Sequence, residues 1–245
     1  MRIPRIHTSQ VLQENTTIEL EPGPSQHIAR ALRMGPGDTL ILFDGTGGEY
    51  PATITALDKG KRVRASTGTR HELELESTLQ IHLGIAVSRG ERMDWVVQKA
   101  TELGVSSISP LLSRRSEVKL KGERADRKIQ HWQQVAASAC EQCGRNRLPV
   151  IEPLQSLQQW LDSTTAEFRF VLHHRAGDLD WKAAAPASIA LLIGPEGGLG
   201  EEEIEAAERS GYQPLRLGPR VLRTETAPLA AIAILQARWG DMAPA

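Results

Sequence analysis

The sequence predicts an α/β protein in which a mostly parallel sheet, covered by helices on both faces, follows a small N-terminal β-barrel. Three observations carry this. From Leu79 onward, apolar runs with the length and branching of buried strands alternate with stretches of helical spacing, the pattern of a parallel sheet between helix layers. Before about residue 70, short runs are separated by turn residues, the rhythm of a small barrel. Between Ser188 and Gly200, an apolar strand passes through a glycine-rich turn into a helix, the form of a ligand cradle.

The 245 residues allow one large or two small domains with a real core. Hydrophobic residues make up 40% and charged residues 24%, ordinary for a globular chain. The net charge of -1 gives no global polyanion signal. Its distribution is less even: Leu111–Arg147 carries nine Lys and Arg against four Asp and Glu. No stretch approaches the length of a membrane span, and the opening M-R-I-P-R-I-H lacks a signal-peptide core. A cytoplasmic protein without a membrane partner is expected.

Strands are expected at Thr16–Leu20, Thr39–Phe43, Tyr50–Leu57 and Arg62–Ser66, with a short helix at His27–Met34 ended by Gly35-Pro36-Gly37. Thr69–Ser77 reads as a linker. Leu79–Val87 is the next strand, followed by a helix at Glu91–Leu103 with Met93, Val96, Val97, Ala100 and Leu103 on one face. After Gly104, a strand is expected at Val105–Ser109. A long helix at Gly122–Cys143 carries a stripe of Ile129, Trp132, Ala136, Ala139 and Cys143. Strands at Phe168–His173, Ile189–Ile193 and Leu215–Leu217 and a closing helix at Glu225–Trp239 complete the pattern. That last helix is apolar on nearly every side, which predicts a packed core or a subunit interface.

Cys140 and Cys143 form a lone C-x-x-C at the end of a helix. A zinc site needs further ligands, and a thioredoxin-like pair belongs at a helix start. Structural thiols and no metal are expected.

The turn Gly194-Pro195-Glu196-Gly197-Gly198 precedes a helix, a place that usually attracts phosphate. Here Glu196 lies in the turn and Glu201-Glu202-Glu203 open the helix, so a pyrophosphate is disfavoured. Neither phosphate-binding glycine fingerprint is present. A phosphate-free, cationic ligand fits better, and a purely structural turn is the alternative. A second turn, L-G-P-R-V-L-R-T-E-T-A-P at 217–228, passes Arg220 and Arg223 beside the apolar helix, with Thr224 as an expected cap. Buried arginines there would require partners. The basic stretch Leu111–Lys128 lies beyond a strand end, where open α/β sheets bind ligands, and is a candidate nucleic-acid clamp.

Both turns, with M-R-I-P-R at the start, H-I-A-R-A-L-R-M-G-P-G-D at 27–38, Q-K-A-T-E-L-G at 98–104 and A-C-E-Q-C-G-R at 139–145, resemble the RsmE family of SPOUT-class methyltransferases. His173-His174 and the Ala-rich 183–187 segment depart from it. The resemblance implies a PUA-like RNA-binding barrel over 1–72 and a SPOUT domain with a deep trefoil knot over 73–245. It implies S-adenosyl-L-methionine as cofactor and methylation of N3 of a uridine in 16S rRNA, expected to be uridine 1498, within an assembled or nearly assembled 30S subunit. It also implies a homodimer.

The cofactor residues so implied are Leu172 and His173, then Gly194, Pro195, Glu196, Gly197 and Gly198, then Leu217, Gly218, Val221, Leu222, Arg223 and Thr226. Arg223 and Arg220 are the expected catalytic residues, stabilising a developing uridine anion, with Glu196 and Glu225 as weaker candidates for a base. RNA contacts are expected at Arg2, Arg5, His27, Arg30, Arg33, Arg114, Arg115, Lys119 and Arg145. The rival readings are a non-catalytic RNA-binding assembly factor and a nucleotide-dependent oxidoreductase. The missing fingerprint and the acidic turn disfavour the oxidoreductase.

Overall fold

A computed structural model of the chain describes residues 3–58, 62–116, 118, 120–173 and 184–242. The chain divides into two compact units. One comprises residues up to Glu76 with Ala137–Leu148, and the other comprises Ser77–Ala136 with the chain from Pro149 onward.

The first unit contains β1 (Arg5–His7), β2 (Thr17–Glu19), α1 (Pro22–Gln26), β3 (Thr39–Phe43), β4 (Tyr50–Leu57) and β5 (Val63–Thr67). The strands make one five-stranded sheet in the order β1-β3-β4-β5-β2. Within it, β1 pairs parallel to β3 and the other neighbours are antiparallel. Along β4 the period of two is plain: Tyr50, Ala52 and Ile54 are buried while Thr53 and Thr55 are exposed. The buried set joins Ile6, Leu20, Ile28 and Leu40 in a core of its own.

The second unit contains β6 (Gln80–Ala86), α2 (Arg92–Glu102), β7 (Ser107–Leu112), the first part of α3 (Glu123–Cys143), β8 (Val150–Ile151), β9 (Gln155–Ser156), α4 (Leu157–Ser163), β10 (Phe168–Leu172), β11 (Ser188–Ile193), α5 (Glu201–Arg209), β12 (Gln213–Leu215) and α6 (Thr226–Trp239). Its sheet runs β12-β10-β11-β6-β7-β8, with β9 also on β7, and every pairing is parallel. Alternate residues of β11 serve opposite faces. Ile189, Leu191 and Ile193 pack with residues of α2, α3 and α6, while Ala190 and Leu192 pack with residues of α4 and α5. A strand buried on both sides has to be apolar throughout, which is why this run was legible.

Several boundaries differ from expectation. The helical stretch begins at Pro22 rather than His27, since proline is tolerated in a first helical turn. It then widens, with Leu32 N–H bonding His27 C=O five residues back, and Arg33 at φ 57 ends it before Met34. The strand expected at Val105–Ser109 is Ser107–Leu112. Pairing with β6 continues past Ser109 through Ile85↔Pro110 and Ala86↔Leu111. The strand expected at Leu215–Leu217 is Gln213–Leu215, ending where the backbone leaves its ladder with β10.

β1, β8, β9 and α4 were not anticipated, because a period cannot be read in two or three residues. α4 nevertheless carries a start signal: Ser156 Oγ accepts from Gln159 N–H, and the Gln159 side chain returns to Ser156 N–H at 3.0 Å. The expected linker is tied down within the first unit. Glu76 accepts from Arg145 Nε at 2.9 Å, and Glu74 accepts from Arg147 Nε at 2.9 Å.

Candidate active site

The parallel register brings the carboxyl ends of β10, β11 and β12 together, since Val171 pairs with Leu192 and Leu172 with Leu215. Beyond them lies a cavity of about 600 Å³. Of the expected cofactor residues, Leu172, His173, Gly194, Pro195, Glu196, Gly197, Gly198, Leu217, Gly218, Val221, Leu222 and Arg223 line it, as does Arg220. Thr226 is not among the lining residues; it is the exposed first residue of α6.

The first turn is built for close approach. A Cβ at Gly194 would come within 2.8 Å of the Leu199 backbone nitrogen, so the turn folds back on itself only because no side chain intervenes. Gly198, at φ 67, closes the turn with its N–H on Pro195 C=O at 2.8 Å.

The acids here do not stand free, as the sequence reading assumed. Glu203 is buried and turns back on its own helix start, accepting from Gly200 N–H at 2.8 Å and from Arg114 N–H at 2.8 Å. Glu202 pairs with the Arg114 guanidinium. Glu196 accepts from Arg89 N–H at 3.1 Å and from Arg92 Nη1 at 2.5 Å. Burial pushes the Glu196 pKa up, but backbone amides and Arg92 outweigh it and hold the group below the usual carboxylate value.

The second turn corrects the expectation of buried arginines. Arg220 and Arg223 are exposed on the cavity lip, and the Arg223 side chain is 82% accessible. Its Nη1 lies 4.0 Å from Glu225. Thr224 does not cap α6. Glu225 stands at the N-cap without a side-chain bond, and Pro228 falls within the first turn, where it costs no helical hydrogen bond. α6 is also not covered all round: Ala231, Ile232 and Leu235 are buried, but Ile234 is 41% exposed.

The residues expected at RNA separate into groups. Arg2 and Lys119 lie outside the described residues. His27, Arg30 and Arg33 are exposed along one turn of the first unit. Arg5 and Arg145 are not open to a phosphate. Arg5 is buried against Glu49, bonds Asn146 Oδ1 at 2.5 Å and lies over the Phe43 ring, and Arg145 is buried against Glu76. Their charges are consumed internally, because a buried guanidinium needs a partner. Arg114 and Arg115 are exposed but engaged: Arg115 Nη1 donates to Gly197 C=O at 3.0 Å and Leu199 C=O at 3.3 Å.

Arg92 and Glu225 also line the cavity, and the sequence reading missed Arg92 altogether. No spacing connects residue 92 to the turns; only the packing of α2 does. Cys140 is buried and Cys143 half-buried, both as free thiols. Hydrogen bonding with Cys143, then burial, pushes the Cys140 thiol far up, which leaves it inert. Among the described residues, no group of His, Cys, Asp and Glu is arranged to hold a metal.

The chain carries a parallel α/β unit with a strand-end cavity and, separately, a small β unit, and the matching family models give the class, that of RNA methyltransferases with a PUA domain. The family model of the RNA methyltransferase domain matches residues 75–236, and that of the RNA methyltransferase PUA domain matches residues 25–63. The Ribosomal RNA small subunit methyltransferase E of Buchnera aphidicola (Acyrthosiphon pisum) is 34% identical over 98% of this chain and 95% of its own. A protein of that name from Neisseria gonorrhoeae, solved bound to S-adenosyl methionine, superposes with TM-score 0.91 at 39% identity over 98% of this chain and 99% of its own. A Legionella pneumophila protein in complex with bound SAM gives TM-score 0.95 at 40% identity, covering 98% and 100%. The chain belongs to the family of ribosomal RNA small subunit methyltransferase E.

Proposed function

We propose that this chain transfers the methyl group of S-adenosyl-L-methionine to N3 of a uridine of small-subunit rRNA, uridine 1498. The observation that carries the reading is the meeting of three strand-end segments, 172–173, 194–198 and 217–223, around one cavity, in a chain so similar to relatives solved with that cofactor. The residues present fit such a ligand. The Gly194–Gly198 backbone is bare of side chains except at Pro195 and Glu196, so a ligand can approach it closely, while Gly198 N–H and Gly197 C=O are engaged within the wall by Pro195 and Arg115. Leu172, Leu217 and Leu222 supply apolar wall.

When bound, S-adenosylmethionine supplies a methyl group on a sulfonium, ready for direct displacement. The chain's contribution is positioning. Arg223 and Arg220 reach over the cavity lip and stabilise negative charge on the uracil ring as N3 loses its proton. Glu196 is a poor proton acceptor near neutrality, since its pKa is lowered and Arg92 holds it. Glu225 is likewise faced by Arg92 and Arg223, at 3.7 and 4.0 Å, so the N3 proton leaves to solvent in this reading. His27, Arg30 and Arg33 supply exposed positive charge for the RNA backbone.

The trefoil knot belongs to the same reading, supported by the way 194–198 and 217–223 share one cavity beside non-consecutive neighbouring strands. So does a homodimer, supported by the exposed apolar Ile234 on the mostly apolar α6. The assembled or nearly assembled 30S subunit is the substrate form this reading takes. No described helix is long and apolar enough to cross a membrane, which agrees with work in the cytoplasm.

The test is Arg223→Ala. Methyl transfer should fall about a hundredfold or more while calorimetry still detects S-adenosylmethionine binding. Unchanged turnover rejects the role of Arg223. No binding by the unaltered protein rejects the methyltransferase reading and favours a non-catalytic RNA-binding factor. Mass mapping of rRNA from cells lacking and regaining the protein tests the nucleotide.

A further inference from the structure

The two turns of the cavity come from distant parts of the chain, and a third segment ties them. Arg92, the first residue of α2, donates from Nη1 to Glu196 Oε1 at 2.5 Å. Its Nε lies 3.7 Å from Glu225 Oε2. Glu196 stands in the turn after β11, and Glu225 occupies the N-cap position of α6 at the end of the second turn. One planar guanidinium thus faces a carboxylate from each wall, a geometry its forked donors suit and a lysine ammonium does not.

The same three residues form the rim between the cavity and a neighbouring groove of about 1130 Å³ floored by Trp95 and Gln98 of α2. Removing the guanidinium takes away the partition between cavity and groove. It also takes from Glu196 and Glu225 the cation they share, leaving Glu196 its bond from Arg89 N–H and Glu225 the Arg223 guanidinium 4.0 Å away.

We propose that Arg92 is a positioning residue of the donor pocket: it clasps Glu196 and Glu225 and so holds the two turns at the separation the cofactor needs. The inference rests on the methyltransferase reading above and adds to it a residue outside both turns. Arg92 acts through Glu196 and Glu225 and does not touch the reacting atoms. Its effect therefore falls on the affinity for the methyl donor and on KM for it, more than on kcat at saturating donor.

The experiment measures S-adenosylmethionine binding by calorimetry and donor KM and kcat by methyl transfer, for the unaltered protein, Arg92→Ala, Arg92→Lys, Glu196→Gln and the double variant Arg92→Ala/Glu196→Gln. Arg92→Ala should weaken donor binding on the order of fivefold, as for a part-exposed ion pair with two partners. Arg92→Lys should recover only part of that. The double variant should bind no worse than Arg92→Ala alone, because the contact to Arg92 that Glu196→Gln weakens is already gone in Arg92→Ala.

Wild-type donor affinity in Arg92→Ala, full recovery by lysine, or additive losses in the double variant each overturn the clasp. If Arg92→Ala does not fold, the comparison of Arg92→Lys with Glu196→Gln decides, both being close in size to the native residues. Failure of the unaltered protein to bind the donor rejects the methyltransferase reading itself, a result distinct from binding that is indifferent to residue 92.

Discussion

The Arg115 guanidinium donates from Nη1 to the Gly197 carbonyl at 3.0 Å, bonding the basic loop after β7 to the glycine turn after β11. A second contact at 3.3 Å reaches Leu199 C=O, and the neighbouring Arg114 N–H is held by Glu203. The loop braces the cavity as well as presenting charge. Arg115→Ala should therefore weaken S-adenosylmethionine binding by about two- to twelvefold, the worth of a hydrogen bond of roughly 0.5–1.5 kcal/mol. Calorimetry on the variant checks this. A loss of RNA affinity with donor affinity intact would show the residue to be an RNA ligand only.

Gly194→Ala should disrupt the first turn at its base. The new methyl would sit 2.8 Å from Leu199 N and 3.1 Å from the Gly198 carbonyl carbon, both backbone atoms that cannot swing aside. Donor binding should be lost while the first unit, which does not contain this turn, keeps its own fold. Titration with the donor, paired with circular dichroism, separates a local effect from unfolding. Tight binding by the variant would mean that the turn relaxes at little cost.

Gly84 tests the other end of the same logic. A Cβ there would meet the Trp160 ring at 2.6 Å, so the indole of α4 lies directly on the β6 backbone. Trp160 is buried and packed beside Tyr212, with ring centroids 5.6 Å apart, so it has little room to move. Gly84→Ala should destabilise the protein by about 1–3 kcal/mol, the usual cost of overpacking. Urea unfolding measures it, and no change in midpoint would show that the indole has a second seat.

The acid limb of stability should carry the mark of Glu21. Its carboxylate accepts from Thr8 Oγ1 at 2.7 Å, Ser9 N–H at 2.8 Å and Ser9 Oγ at 2.6 Å. Burial works to raise its pKa, but these hydrogen bonds outweigh burial and bring it from 4.5 down to about 2. The folded value lies below the unfolded one, so this stabilisation is complete above pH 4.5 and is lost as pH falls toward 2. Denaturant midpoints should therefore fall more steeply across that window in the native protein than in Glu21→Gln. Parallel curves would reject the assignment.

Much of the second unit was legible because its strands are buried on both faces. Ile189–Ile193 has to be apolar without interruption, Leu79–Val87 is apolar but for Gln80 and His82 near its start, and the stripe on α2 has to repeat at helical spacing. The glycines of the first turn were legible for a related reason. A turn in which a Cβ at Gly194 would come within 2.8 Å of the Leu199 nitrogen admits no side chain there, and the absence of a side chain shows in the sequence. Arg5 and Arg145 were misread because a cation has the same letter whether it faces a phosphate or is buried against a carboxylate. Nothing local separates the two.

The sequence by itself determined the two-part α/β class, the identity of the cavity's two turns and the family to which they point, since these depend on composition and spacing within a few residues. Tertiary structure alone decided the partners. It set Glu203 on Arg114 N–H, Arg115 on Gly197, and Arg92 between Glu196 and Glu225. Each of these contacts joins segments separated by more than eighty residues. The parallel register of β6, β7, β10, β11 and β12 brings such segments to one end of the sheet, and no periodicity within any one of them records that meeting.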